Sequence, residues 1–163
     1  MAAGPHVSII IPFLNASRFL RETVRGVVDQ TLADWEIILV DDGSSDSSSA
    51  IAAEFVRERP RQVRCVEHDG HRNRGTSASR NLGLVRARGE LVAFLDADDV
   101  WLPDMLRHHA DILGRYPEAA FSYAPGCWWY GWTNRAEDVE RDFVQDTGVP
   151  PNRLVAAPGL LNL

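Results

Sequence analysis

Four short apolar runs recur along the chain: VSIII at 7–11, WEIILV at 35–40, VRCVEH at 63–68 and LVAFL at 91–95. Runs of this length bounded by polar turn residues read as strands. Between them, apolar residues recur at helical spacing. Phe19, Val24, Val27 and Val28 predict a helix over 17–30, and Ile51, Ala52, Phe55 and Val56 another over 47–58. A third helix, over 76–88, is expected to bury Ala78, Leu82 and Val85. Strands alternating with helices imply an α/β fold, a parallel sheet joined by right-handed crossovers with helices on both faces. After Pro103 a helix over 104–115 precedes AAFSYA, an expected fifth strand, and the aromatic run CWWYGW at 127–132. From Asn134 the pattern weakens, and the tail TGVPPNRLVAAPGLLNL reads as cut from something longer.

With 163 residues, 45% of them hydrophobic, the chain can bury one substantial core, so disorder is excluded. No basic segment precedes the first apolar run, and nothing approaches the roughly 20 apolar residues that span a bilayer. The expectation is a soluble, cytoplasmic protein with no transmembrane segment, peripheral to a membrane at most. Cys65 and Cys127 show no CxxC spacing and are expected to be reduced, buried thiols. His108 and His109 lack the i, i+4 spacing of metal ligands and read as non-catalytic.

Charge sharpens the picture. The net charge is −6, all 17 basic residues are Arg, and nine of them fall between Arg57 and Arg88 against three acids, a local balance of +6. A basic segment inside an acidic chain lacks the broad positive footprint of nucleic-acid binding and suits a compact anion. Arg72, Arg74 and Arg80 are the candidates.

The strand ends carry the chemistry. The first gives Pro12-Phe13-Leu14-Asn15, the second Asp41-Asp42-Gly43-Ser44-Ser45-Asp46, the fourth Asp96-Ala97-Asp98-Asp99; NRGTSASRNLG lies at 73–83. In open α/β sheets, ligands sit outside the carboxyl ends of the strands. Asp96 and Asp98, two apart on an extended segment, share one side, where a cation and an anionic ligand can meet. Their hard oxygens suit Mg²⁺ or Mn²⁺. The structural alternative is an acidic turn in which Asp99 or Asp104 caps the next helix; Asp46 or Ser47 reads as the N-cap of the helix at 47–58. Gly75 opens a helix whose free N–H groups can face phosphate.

PFLN, VDDGSSD, NRGTSASRNLGL and ARGELVAFLDADD, in this order, resemble the family 2 glycosyltransferases of the GT-A fold over roughly residues 5–125. The resemblance implies a Rossmann-like three-layer sandwich with a mainly parallel sheet, truncated here. It implies a nucleotide-sugar-binding half over 1–125, with 126–163 the start of an incomplete acceptor-side region. It assigns Asp41 to the nucleobase, with Asp42 orienting the turn, and sets Pro12 and Asn15 against the nucleoside. Arg74 reaches the base or diphosphate or else serves only the surface, Gly75 opens toward the phosphate, and Arg80 contacts the donor or stabilises the acidic cluster. Asp96 faces ribose and metal, Asp98 is the direct metal ligand, and Asp99 contacts the donor sugar. This chain has Phe13-Leu14 where the family form places an aromatic directly before Asn. The implied reaction is inverting transfer from a nucleoside-diphosphate sugar, read as a UDP-sugar of polysaccharide biosynthesis, to a saccharide, lipid or other hydroxyl acceptor. The catalytic base is unknown and expected beyond Leu163, since Glu137-Asp138 reads as solvated helix. A binding fragment without transferase activity is the alternative.

Trp128, Trp129, Tyr130 and Trp132 read first as core or homodimer interface and second as an acceptor platform. LVAFLDADDV also fits the DxD motif of haloacid-dehalogenase-like phosphatases, and ILVDD with DVWLP at 99–103 resembles a response-regulator receiver. Both need a lysine, and this chain has none. Their acids also belong to a first strand, whereas a whole βαβα unit precedes Asp96. A dehydrogenase fits less well still, because no GxGxxG follows the first strand.

Overall fold

A computed structural model describes residues 4–147; the tail from 148 onward lies outside the described residues. Residues up to Arg107 form one compact unit, and those from His108 a second.

In the first unit, β1 (Val7–Phe13), β2 (Trp35–Asp41), β3 (Val63–Glu67) and β4 (Leu91–Phe94) form a parallel sheet in the order β3-β2-β1-β4. Both β1 and β2 are buried at every position, as inner strands covered on two faces must be. Ile9, Ile11, Phe13, Ile37 and Leu39 point to one face, against Leu20, Val24 and Val27 of α1 (Leu20–Val28) and Ile51 and Phe55 of α2 (Ser48–Glu58). Ile10, Ile38 and Val40 point to the other, against Leu82 of α3 (Thr76–Arg86). The chain steps from β1 to β3 in one direction and returns past β1 to β4. Right-handed crossovers put such opposed steps on opposite faces, hence the three layers.

Helix α3 turns only part of the expected face inward: Leu82 packs on the sheet and Val85 does not. Val85 is 80% exposed, and Ser79 and Gly83 are the buried positions. A Cβ at Gly83 would stand 2.4 Å from Ile10 Cγ2. The helix axis therefore lies closer to the sheet than a large residue at that position allows, and Val85 rotates outward.

At the amino ends of the strands a buried carboxylate closes the structure. Glu36, whose side chain is 1% exposed, accepts from Ser8 Oγ (2.7 Å), Arg64 Nη2 (2.9 Å), and Arg88 Nη2 (2.6 Å), Nε (2.9 Å) and N (2.8 Å). Burial alone would raise its pKa; hydrogen bonds from Arg88 and Ser8 outweigh that and hold it below the usual carboxylate value of 4.5. Two of the nine clustered arginines, Arg64 and Arg88, thus serve the fold. Helix α4 (Met105–Arg115) begins with its Leu106 N–H donating to Gln30 Oε1 (2.9 Å), a cap from α1's end. Asp104 instead accepts from Thr31 Oγ1.

Cys65 and Cys127 are both exposed, correcting the expectation of buried thiols: Cys65 lies on β3, the outermost strand, where cover is thinner. The second unit holds a two-residue antiparallel ladder, β5 (Cys127–Trp128) with β6 (Phe143–Val144), and a short helix, α5 (Ala136–Val139). No strand forms at 119–124, the expected fifth strand. That stretch finds no ladder partner among the described residues, and Phe121 and Tyr123 are exposed. Trp128 stacks on Phe143 at 6.2 Å, yet Trp128, Trp129 and Trp132 remain exposed and do not form a core.

Two expectations follow. Helix propensity favours Gly83→Ala by about 1 kcal/mol, but the collision with fully buried Ile10 outweighs it, giving a net loss of about 1–2 kcal/mol on denaturation. Ile10→Ala then costs less in the Gly83→Ala background than alone. Glu36→Gln should lose about 2–3 kcal/mol at neutral pH, since it weakens charge-assisted bonds to two arginines. Because the folded pKa of Glu36 lies below 4.5, its contribution is present above that value and lost as pH falls through the folded pKa. Denaturant titrations should show the gap to Glu36→Gln closing below about pH 4.5.

Candidate functional site

The sheet order reverses between β1 and β4, and the loops leaving the carboxyl ends of the strands carry the polar sequences singled out above. Three of those loops are tied together by direct bonds.

The turn after β2 is the hub. Asp41 is 2% exposed; its Oδ1 accepts from Ser44 N (2.8 Å) and its Oδ2 from Ser49 Oγ. Asp42 is 4% exposed and accepts from Arg74 N (2.7 Å) and Gly75 N (2.9 Å), fastening the loop between β3 and α3. Gly43 has φ +87°, and a Cβ there would lie 2.8 Å from Asn73 N and 3.0 Å from His71 O. Only a residue with no side chain lets the two backbones meet so closely. The sequence signal for this contact was VDDGSSD itself, but its partner, the loop whose Arg74 lies 32 residues beyond Asp42, was not legible.

Asn15, with left-handed φ +50°, lashes the loop after β1 to the same turn. Its Oδ1 accepts from Ser45 N (2.8 Å) and Asp46 N (3.3 Å), while its own N–H donates to Ser44 Oγ (3.1 Å). Pro12 is buried within β1, Phe13 is 2% exposed and Leu14 is 43% exposed, so the loop presents Leu14 outward and keeps the aromatic in the core. Asp46 accepts from Ser48 N–H and Oγ–H and from Ser17 N, making it the side chain that caps the start of α2. The Ser48 bond is the main reason its carboxyl lies far below the ordinary range.

Beyond β4, burial alternates. Leu95 and Ala97 enter the core, and Asp96 and Asp98 are exposed. Thr23 Oγ1 on α1 donates to Ala97 O (2.8 Å), pinning the segment so that the two carboxylates face away from the core. Arg80, one turn into α3, donates from Nη2 to Asp96 Oδ1 at 2.7 Å, and its guanidinium lies 5.8 Å from the Phe94 ring centroid. Asp99 turns back, its N–H donating to Asp96 O (3.1 Å). Its carboxyl titrates above the usual range, mainly through desolvation and further through the charges of Asp98 and Asp96. Three neighbouring carboxylates, one of them paired to Arg80, form an oxygen-rich, electron-dense donor set. That set fits a hard divalent cation sharing its remaining positions with phosphate oxygens. Among the described residues no cluster of three or more His, Cys, Asp or Glu stands in metal-holding geometry.

Arg74 is exposed, and its backbone N–H is what binds Asp42. Gly75 precedes the first turn of α3 and shares its N–H between Asp42 and Asn73 Oδ1 (3.0 Å). Sequence reasoning passed over His68 and His71. His68 Nε2 meets Ser79 Oγ at 2.9 Å, and His71 bridges Glu67 and Ser44. In the second unit, Glu137 is exposed, while Asp138 accepts from Thr133 Oγ1 (2.6 Å) and Arg141 Nη1 (3.1 Å). His109 Nδ1 sits 2.8 Å from Ser122 Oγ. Among the described residues no helix is long and apolar enough to cross a membrane.

A family model described as Glycosyl transferase family 2 matches residues 8–141. The chain is similar to the Putative teichuronic acid biosynthesis glycosyltransferase TuaG of Bacillus subtilis, 34% identical over 156 residues, covering 94% of this chain and 54% of that protein. Among solved structures it resembles S. aureus TarS 1-349 in complex with UDP, with TM-score 0.61 and 26% identity over 68% of this chain and 32% of the other. It also resembles the mannosyltransferase PcManGT from Pyrobaculum calidifontis in complex with GDP-Man and Mn2+, with TM-score 0.62 and 26% identity over 69% and 33%. The chain spans from about a quarter to about half the length of the first curated relatives it matches.

The loop assembly makes a checkable demand on Asp42. Asp42→Ala should lower stability by about 2–3 kcal/mol, because two backbone N–H groups lose a charged acceptor. Hydrogen exchange at the Arg74 and Gly75 amides should rise by more than at the amides of β1, which distinguishes local loop release from global unfolding.

Proposed function

We propose, because this chain belongs to glycosyl transferase family 2, that it forms the donor-binding half of an inverting transferase using a UDP-sugar. The fold is the mainly parallel GT-A arrangement of that family. The observation that carries the proposal is the convergence, at the switch point of the sheet, of exposed Asp96 and Asp98 with a turn and two loops already locked together. The bound UDP and GDP-Man of the similar solved structures support a nucleotide-sugar ligand.

On this reading the Asp41 turn, with Pro12 and Asn15 beside it, walls the nucleoside. Arg74 lies on the loop that borders it, and the first turn of α3 after Gly75 offers N–H groups to the diphosphate. Arg80 holds Asp96 in place and lowers the negative charge that the diphosphate meets. Asp96 and Asp98 would hold Mg²⁺ or Mn²⁺, which supplies Lewis-acid stabilisation of the departing diphosphate when bound. Asp99, whose carboxyl titrates above the usual range, would contact the donor sugar.

A carboxylate base must take the proton of the acceptor hydroxyl as it attacks the anomeric carbon. Asp138 is engaged by Thr133 and Arg141 and Glu137 sits on a four-residue helix, so we place the base beyond Leu163. The motif-bearing half runs to residue 125 on this reading, and 126–163 begins the acceptor-side region. There the exposed aromatics would meet a saccharide, a lipid-linked acceptor or a second copy of the chain. A cytoplasmic location belongs to the same proposal.

Three carboxylates repel a diphosphate unless a cation intervenes. Titration calorimetry should show UDP binding at least about tenfold tighter with Mn²⁺ than without, and Asp98→Ala should abolish that gain. Equal affinity without the cation, or an Asp98→Ala variant indistinguishable from the parent, rejects the metal assignment.

A further inference from the structure

His71 stands in left-handed backbone, φ +51°, in the loop between β3 and α3, with an acceptor at each ring nitrogen. Nδ1 is 2.7 Å from Glu67 Oε2, and Nε2 is 2.8 Å from Ser44 O. A carboxylate and a carbonyl can only accept. A neutral imidazole has one N–H, so it satisfies one contact and turns a lone pair toward the other. The imidazolium satisfies both. The bridge spans the place where Gly43 touches the 71–73 backbone, alongside the bonds from Arg74 and Gly75 to Asp42.

We propose that His71 is a positioning residue for the donor nucleotide: doubly protonated, it locks the β3–α3 loop onto the turn after β2, so that nucleotide affinity falls as the clip deprotonates. This rests on the reading that the Asp41 turn walls the nucleoside.

The surroundings agree. On its own loop and the end of β3, His71 has Glu67, His68, Asp69, Arg72 and Arg74; on the turn opposite, Asp41, Asp42 and Asp46. His68 is occupied with Ser79 and lies 3.6 Å from Asp42 Oδ1. The Ser44 carbonyl, followed by Glu67, raises the pKa of His71 above the ordinary imidazole value of 6.5, and the charges of Asp41 and Glu67 add to it. A raised folded pKa means that the clip is fully formed below 6.5 and lost as pH rises through the raised value.

The experiment is a pair of titrations on the full chain. Nitrogen-15 NMR should show both His71 ring nitrogens protonated below a midpoint above 6.5, with the Ser45 and Gly75 amides titrating at the same midpoint. A midpoint at or below 6.5, or a single-N–H tautomer throughout, overturns the clip whether or not any nucleotide binds.

Calorimetry with UDP and Mg²⁺ between about pH 6 and pH 8 should then show affinity falling about three- to tenfold more in the parent than in His71→Gln, which reports the ligand's own protonation. Glu67→Gln, at an exposed position that leaves the Ser44 contact intact, should lower the NMR midpoint and move the affinity profile by the same amount. A profile that ignores Glu67→Gln overturns the coupling. Absence of UDP binding at every pH, with and without the cation, overturns the nucleotide reading and the coupling with it, while the NMR midpoint separately decides the clip.

Discussion

The Asp42 carboxylate sets the geometry on which everything at the carboxyl ends of the strands depends. It is nearly buried, and its two oxygens each accept a backbone N–H from one loop. A buried carboxylate is tolerated only when its charge is answered by donors. Here the answer is the loop itself, so the loop cannot leave without exposing an unpaired charge. Gly43 sets how close the loop comes, and Asn15 repeats the device on the other side with a neutral carbonyl oxygen accepting two N–H groups. A turn of a few residues thereby positions segments from three parts of the chain, and the exposed acids beyond β4 face a framework that is already assembled.

The opposite end of the sheet uses the same chemistry for another purpose. Glu36 is more deeply buried than Asp42 and gathers donors from Ser8, Arg64 and Arg88, so a charge that desolvation would neutralise stays ionised. The two carboxylates divide the labour of a parallel sheet, in which strand ends of one kind collect at each edge. Glu36 and its arginines hold strands together, and Asp42 and its amides hold loops in register.

Much of this was legible along the chain. The four strands begin where the apolar runs begin, and the inner two show the unbroken burial that such runs imply. The helices between them appear with ends shifted by a few residues; α1 starts at Leu20, and Ser17 before it donates its N–H to Asp46 in the turn after β2. Sequence periodicity failed where packing distance decides. Nothing in TSASRNLGLVR announces that Gly83 rests on Ile10, yet that contact rotates Val85 into solvent. Glu36 was invisible because its partners lie 28 and 52 residues away. His71 escaped notice because a lone histidine carries no periodic signal, and only folding puts acceptors at both of its nitrogens. The expected strand at 119–124 failed for the converse reason: extended sequence becomes a strand only when another strand pairs with it.

Among the described residues strand β4 is the outermost strand on its side, four residues long, with Val92 39% and Phe94 45% exposed on the face that α3 leaves open. A free edge beside exposed apolar side chains is a template for adding further strands, and a protein handled at high concentration meets other copies of itself most often. The same segment ends in Asp96, Asp98 and Asp99, whose negative charges repel an identical edge approaching in register. Charges flanking an exposed apolar strand are the usual guard against edge-to-edge aggregation, so neutralising these acids would weaken the colloidal stability of the chain.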